Sequence, residues 1–331
     1  MTRIKIAQFG LGPIGLETVK LAAAKPWAKV VGAVDIAPSK AGHDLGDLAR
    51  MESLKGRRVF GSLEELVARA KPDLIFHTAV SSFRAAFWQI EPMARLGIHV
   101  VSSCEELVYP RLRQPKLATR LDRVCQAAGA RVVGTGVNPG FVMDLLPLFM
   151  TGVCRQVRSV RVWRVVDAST RREPLQRKIG SGQSPAKFGR LLARGRAGHA
   201  GLRESLALIA HCLGWKPPRI KERAEALVAQ HDIRTPYFQV KKGQTCGIHQ
   251  RVEAAIRGAT RLSLDLTMRL DAEEPHDAIR IEGDPPLGLL IQGGVAGDAA
   301  TVAALVNAAP RLLEAPPGLR LVTDLPAPRI A

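Results

Sequence analysis

Through the first 138 residues, short β-branched runs alternate with stretches whose apolar residues recur at helical spacing, a pattern of repeated βαβ units and a parallel sheet. Runs at 4–9, 30–34, 74–78, 99–103 and 131–135 predict strands, and 63–70, 83–96 and 116–128 predict helices between them. The order reads as a doubly wound α/β fold. Beyond Asn138-Pro139-Gly140 the texture changes, because 157–166, 251–256, 262–270 and 278–282 alternate as longer amphipathic strands. These predict a mixed or antiparallel sheet in a second, α+β domain. A basic, glycine-containing stretch at 184–215 reads as helical, and a last helix is expected to start near Asp298 and stop at Pro310, ahead of a proline-rich tail. The expected organisation is one domain of residues 1–138 joined by a C-terminal return at 298–331, and a second of residues 139–297. Neither an internal repeat nor a low-complexity tract is present.

The turn Gly10-Leu11-Gly12-Pro13-Ile14-Gly15 directly follows the first strand and opens the helix at 14–24, and the second strand ends at Asp35. Glycines fall at this spacing by chance in many chains. A strand before, a helix after and an acid about 20 residues on supply the context of a dinucleotide-binding Rossmann domain. Gly10 permits the tight turn, Gly12 lets the backbone approach a pyrophosphate, and Gly15 lets the helix pack on the strand, with the helix N-terminus facing the phosphates. Asp35 suits the adenosine ribose hydroxyls and favours NAD, since a 2′-phosphate beside a carboxylate is repelled. Ser39 and Lys40 follow closely enough to offset that repulsion, so binding of NAD or NADP is expected. Thr78-Ala79-Val80, and Ser103 on the next strand, fall at the carboxyl edge of the sheet, where ribose and nicotinamide lie in such folds. An ordinary βα loop carries similar small residues.

At 331 residues and 46% hydrophobic content the chain can bury two cores. No stretch approaches the roughly 18–20 apolar residues of a membrane span, the densest run, 141–154, being interrupted by Asp144 and Pro147. The N-terminus lacks the basic patch, apolar run and cleavage site of a secretory signal, so a soluble, cytoplasmic protein is expected. Cys104, Cys125, Cys154, Cys212 and Cys246 are odd in number and scattered, which argues against disulfides and a metal site. The net charge of +18 raises the question of a polyanion. Basic residues are spread along the chain, with local density only at 111–123, 155–177 and 187–203, and the 5% aromatic content offers little for stacking bases. No specific nucleic-acid binding is expected, and any association should vanish steeply with salt.

The strand at 99–103 runs into Cys104-Glu105-Glu106-Leu107, which sets carboxylates at the carboxyl edge. Oxidation of an amine or alcohol carbon needs a base for the accompanying proton, a task that a partly desolvated glutamate can perform. Both are also residues that the dipole favours in the first turn of a helix. Asn138 has the donor and acceptor to hold a nicotinamide carboxamide, although Asn-Pro-Gly also simply makes a turn. Phe141, Trp163 and Phe188 are candidates for an apolar substrate pocket, or for core.

The run Gly134-Thr135-Gly136-Val137-Asn138-Pro139-Gly140-Phe141, continuing to Asp144-Leu145-Leu146-Pro147, resembles the signature of the native amine dehydrogenases and 2,4-diaminopentanoate dehydrogenases, which are relatives of dihydrodipicolinate reductase. Cys104-Glu105-Glu106-Leu107-Val108-Tyr109-Pro110 resembles the family segment bearing the catalytic glutamate. The segments 171–182 and 293–301, with Asn307 and Pro317-Gly318-Leu319, extend the likeness over nearly the whole chain. The paired histidines and the Lys/Ser-Gly-Thr loop of dihydrodipicolinate reductases proper do not occur. The resemblance implies an NAD(P)-dependent enzyme, working as a homodimer, that deaminates a primary amine oxidatively and aminates a ketone or aldehyde with ammonia. Glu105 would be its base, being nearer the strand end, with Glu106 as the alternative. Another imine or carbonyl reductase and a non-catalytic dinucleotide-binding regulator remain open at this stage.

Overall fold

The computed structural model describes residues 3–216, 219–256 and 258–331. Two compact units emerge, one of Met1–Phe141 with Ala296–Ala331 and the other of Val142–Val295. In the first, β1 (Ile4–Phe9), β2 (Ala28–Val34), β3 (Val59–Phe60), β4 (Leu74–His77), β5 (His99–Ser102) and β6 (Arg131–Gly134) are separated by α1 (Pro13–Ala23), α2 (Leu45–Ala49), α3 (Leu63–Ala70), α4 (Phe83–Arg95) and α5 (Pro115–Ala128). All neighbouring strands pair in parallel, in the order β3-β2-β1-β4-β5-β6, with the terminal strand Gly318–Arg320 added beside β6. The doubly wound expectation holds. Its reason is visible in the burial, since β4 has no exposed residue and Ile6, Ala7, Val100, Val101, Val132 and Val133 are fully buried between two helical layers. Leu66, Phe83, Phe87, Ile90 and Leu121 from α3 to α5 fill one side, while Leu11, Val19, Leu45 and Ala49 fill the other. The strand order reverses between β1 and β4, so their carboxyl ends diverge and leave room for a ligand.

The second unit contains α6 (Leu145–Thr151), β7 (Gln156–Asp167), α7 (Glu173–Lys178), α8 (Pro185–Ala193), α9 (Leu202–Cys212), β8 (Arg219–Val228), β9 (Ile233–Arg234), β10 (Gln239–Val240), β11 (Thr245–Ile256), β12 (Ala259–Arg269), β13 (His276–Asp284) and β14 (Leu287–Gln292). Six of these strands form a mixed sheet in the order β14-β13-β7-β12-β11-β8, in which only the β7–β12 pair is parallel. Alternation divides its faces. Val160, Val162, Ile248, Val252, Leu264, Leu266, Ile279 and Ile281 are buried, and helices α6, α8 and α9 pack on this sheet. Arg161, Trp163, Arg251, Asp265 and Arg280 alternate with them and lie on the opposite face.

Two expectations change in detail. The last helix runs Gly297–Glu314 and passes through Pro310 instead of stopping there. Proline removes one backbone donor, but the buried stripe Leu305, Val306, Ala309 and Leu312 continues across it and holds the final turn. The strand expected at 251–256 begins at Thr245, because the polar Gln250 on its buried side is satisfied, donating to the His199 carbonyl and to Glu222 and accepting from the His199 amide. That polar residue hides the apolar alternation.

The chain leaves this unit through a buried clamp. The Arg164 guanidinium donates to both Asp277 oxygens at 2.8 Å and to the Val295 carbonyl at 2.7 Å, while Asp277 accepts the Val295 amide at 2.7 Å. Gly293 and Gly294, both at positive φ, make the turn that delivers Val295 to it.

Candidate active site

The glycine turn has the geometry of a phosphate cradle. Gly10 sits at φ +87°, and a Cβ there would come within 3.2 Å of the Ala79 backbone. A Cβ on Gly15 would lie 1.9 Å from the Gly10 carbonyl oxygen, so only glycine lets α1 start this close to β1. A Cβ on Gly12 would meet nothing within 4 Å, so the turn is open on that side. Gly12 is the N-cap of α1, no side chain caps the helix, and Pro13 has no amide to satisfy. The Ile14 and Gly15 amides thus have no side-chain cap among the described residues, and the positive end of the helix dipole lies behind them, an arrangement that can receive an anion. From below, the Gln8 side-chain amide donates to the Gly10 carbonyl at 3.0 Å and to the Thr78 hydroxyl at 2.9 Å, and that hydroxyl donates to the same carbonyl. Gln8 and Thr78 thus fasten the turn to the end of β4.

Asp35 follows β2 and reaches back to this turn, accepting the Leu11 amide at 2.7 Å and the Ala37 amide at 2.9 Å. Lys40 donates to Asp35 at 3.2 Å and to the Leu11 carbonyl at 3.0 Å. Burial pushes the Asp35 carboxyl upward, but the Ala37 and Leu11 amides and the Lys40 ammonium outweigh it and hold the group below the usual carboxylate range. Ser39 is exposed, and Val80 packs half-buried against the core under β4.

Across the switch point, the turn at Glu105–Val108 follows β5. Gly134 on β6 lets it lie there, since a Cβ would come within 2.6 Å of the Leu107 backbone. Gly140, at φ +119°, likewise has the Gly136 amide 2.4 Å from where a Cβ would be, so the run from 134 to 140 folds into a loop too tight for larger residues. Asn138 and Phe141, both half-buried, lie on and just after this loop. The two glutamates differ sharply. Glu106 accepts the Phe83 amide at 2.8 Å, which caps α4, and faces the Arg113 guanidinium at 3.5 Å. Glu105 is half-buried, and its carboxylate makes no hydrogen bond or ion pair among the described residues. Cys104 between them and β5 is not a nucleophile: burial, then the Glu105 charge, push its thiol far above the usual range, and it donates to the Ser81 carbonyl. Ser103 donates its amide to the His77 carbonyl at 3.0 Å.

Sequence reasoning passed over His77. This last residue of β4 is fully buried, with Nδ1 2.9 Å from the Ser102 hydroxyl and Nε2 2.7 Å from the Gln89 amide oxygen, and it stacks on Phe9. It ties the ends of β4 and β5 to α4 directly beneath the carboxyl edge. Burial holds it down to about 4, from an ordinary value of 6.5. The unfolded chain therefore takes up a proton as pH falls through 6.5, while the folded one resists until about 4. The stability that neutral His77 contributes is complete above 6.5 and is lost towards pH 4, about 3 kcal/mol in all. Urea midpoints at pH 7.5 and 4.5 should show a smaller loss in His77→Gln than in the unaltered chain.

Within the second unit, Trp163 and Phe188 are not brought together. Phe188 is buried, with its ring beneath Gly180, where a Cβ would approach it to 2.6 Å. Trp163 instead lines a surface groove of about 650 Å³ on the other face of its sheet, beside Ala278, Arg280 and Leu290. Among the described residues no group of three or more His, Cys, Asp or Glu could hold a metal ion, and no helix is long and apolar enough to cross a membrane.

Residues 141–331 match the sequence profile of the 2,4-diaminopentanoate dehydrogenase C-terminal domain. The chain belongs to the 2,4-diaminopentanoate dehydrogenase family. It is 30% identical to the 2,4-diaminopentanoate dehydrogenase of Acetoanaerobium sticklandii over 99% of this chain and 95% of that protein. It is also 24% identical to an amine dehydrogenase of Streptomyces virginiae, over 98% and 96% of the two chains. The fold is that of the amine dehydrogenase from Mycobacterium smegmatis, at a TM-score of 0.87 and 24% identity over 99% of this chain and 97% of that one. Dihydrodipicolinate reductase from Paenisporosarcina sp. TG-14 shares the architecture more distantly, at a TM-score of 0.52 and 12% identity over 96% and 97% of the chains. The chain is thus an oxidoreductase of this family, as the 134–147 run implied.

Proposed function

We propose that this protein is an NAD(P)-dependent amine dehydrogenase that converts a primary amine to ammonia and a carbonyl compound, and runs the reverse reductive amination. The observation that carries this reading is Glu105, a half-buried carboxylate at the carboxyl edge, uncommitted while its neighbour Glu106 is fully employed in capping α4. A regulator has no use for a base there, and the relatives are dehydrogenases of amines by name. The open glycine turn, the bare α1 N-terminus and Asp35 fit a dinucleotide, with Gly10 to Gly15 holding the pyrophosphate and Asp35 the adenosine ribose. Thr78, Ala79, Val80 and Ser103 border the remainder, and Asn138 pairs with a carboxamide.

When bound, the nicotinamide cofactor supplies the two-electron acceptor or donor. Glu105 takes a proton from the substrate ammonium, so that the free amine carries the electron pair that helps expel hydride. Glu105 passes that proton to solvent, takes one from the water that attacks the resulting iminium carbon and returns it to the nitrogen. Ammonia departs as the hydroxyl proton goes back to Glu105, leaving the carbonyl product. Phe141 contributes apolar surface to the substrate site, whereas Phe188 serves as core. A homodimer is the proposed working unit, supported by the face of the second unit's sheet opposite its buried side chains, where Leu290 is exposed beside Trp163.

Oxidation of NADH and NADPH should be followed with a panel of short aldehydes and ketones, with and without ammonium. The expected result is turnover that requires ammonium. Equal rates without ammonium would indicate a carbonyl reductase, and no turnover with any pair would overturn the amine reading.

A further inference from the structure

We propose that Lys40 is the specificity-determining residue that lets this site accept a 2′-phosphate, so that the Asp35–Lys40 pair sets the balance between NADP and NAD. The inference rests on the dinucleotide reading of the glycine turn. The two cofactors differ only in the phosphate on the adenosine ribose, the part of the ligand that Asp35 would meet. A lone carboxylate there repels a phosphate dianion. Here it is not alone. The Lys40 ammonium lies 3.2 Å from Asp35 Oδ2, so the net charge of the pair is zero where an NAD-selective site would present −1. The ammonium is also fixed in place. Its side chain is 30% exposed, its Nζ is anchored on the Leu11 carbonyl, and its backbone lies in a tight turn in which the Lys40 amide donates to the Ala37 carbonyl at 2.9 Å. Asp35 and Leu11 use two of the three ammonium donors, which leaves one for a phosphate oxygen. The 36–44 loop is itself held down, since the Gly42 amide donates to the Val59 carbonyl at 2.8 Å and the Val59 amide to His43 at 3.0 Å. Lys40 therefore meets the ligand without an ordering cost for the loop.

A structural role makes a different prediction from a phosphate-binding one. If Lys40 only braced Asp35 and the turn, its loss would weaken both cofactors alike. If it receives the phosphate, its loss leaves Asp35 uncompensated against NADP alone. Dissociation constants for NADPH and NADH should be measured by nicotinamide fluorescence in the unaltered protein, Lys40→Met, Lys40→Arg and Asp35→Asn, with thermal melts to establish folding. In Lys40→Met the ratio of NADPH to NADH dissociation constants is expected to rise about tenfold or more, since a like charge then stands unscreened beside the phosphate. Lys40→Arg should retain the original ratio, and Asp35→Asn should shift it towards NADPH. The salt dependence of NADPH binding should flatten in Lys40→Met, because one ion contact is gone. Competition by 2′-AMP should weaken in Lys40→Met while competition by 5′-AMP persists. Parallel weakening of both cofactors, or an unchanged ratio in Lys40→Met, would overturn the inference and leave the dinucleotide site intact. Failure of the unaltered protein to bind either cofactor would overturn the dinucleotide reading as well.

Discussion

Replacing Glu105 by Gln is expected to lower amine turnover about a hundredfold or more while dinucleotide affinity changes by less than about threefold, as befits a general base that does not hold the cofactor. Gln is nearly isosteric and can accept a hydrogen bond but not take a proton, and among the described residues the Glu105 carboxylate has no hydrogen-bond or ion-pair partner to lose. The fold and melting temperature should therefore be unaffected. Glu106→Gln should behave in the opposite way. It weakens the cap on the Phe83 amide and the pairing with Arg113, so stability falls modestly while most of the turnover survives. Steady-state rates, cofactor titration and thermal melts on the two variants separate the roles. Near-normal turnover in Glu105→Gln, with loss in Glu106→Gln, would move the base by one residue; near-normal turnover in both would remove the carboxylate from the mechanism.

The largest effect on stability is expected from Asp277→Ala. Arg164 and Asp277 are 4% and 1% exposed, so removing the carboxylate strands a guanidinium in the interior and leaves the Val295 amide without its acceptor. Burial already pulls the Arg164 guanidinium below its usual range, with Asp277 acting against it, which shows how much the pair depends on staying intact. Breaking such a pair from one side costs about 3–5 kcal/mol, enough to lower the melting temperature by on the order of 10 °C for a unit of this size. Arg164→Met with Asp277→Leu removes both charges together and should recover part of the loss, because a matched apolar pair leaves no buried charge. A melting temperature unchanged in Asp277→Ala would mean that the clamp contributes nothing.

Much of the fold could be read from local sequence. The apolar runs at 4–9, 74–78 and 131–135 are strands because their central residues are buried on both faces, and so short a buried run satisfies its backbone by pairing with neighbouring strands. The turn from Gly10 to Gly15 is legible because Gly10 and Gly15 each meet a steric limit set by neighbouring backbone, and a strand before it and a helix after it supply the context. β8 and β14 escaped notice. β8 reads as a charged stretch, Arg219-Ile220-Lys221-Glu222-Arg223, and becomes a strand only by pairing with β11.

By itself, the sequence determined the βαβ order, the glycine turn between β1 and α1, the presence of an acid at the end of β2 and of two glutamates after β5, since each follows from hydrophobic period or from the backbone freedom of glycine. Only the tertiary structure decided what those acids do. Glu105 and Glu106 are chemically the same and adjacent, so no local property distinguishes them. The difference is made by the α4 N-terminus, which sits 23 residues away in the chain and claims Glu106 alone. The same holds for Asp35, whose charge is balanced by Lys40 across a turn, and for His77, whose neutrality depends on burial beneath α4. Charge state and availability are set by what surrounds a group in space, and periodicity along the chain carries no record of that.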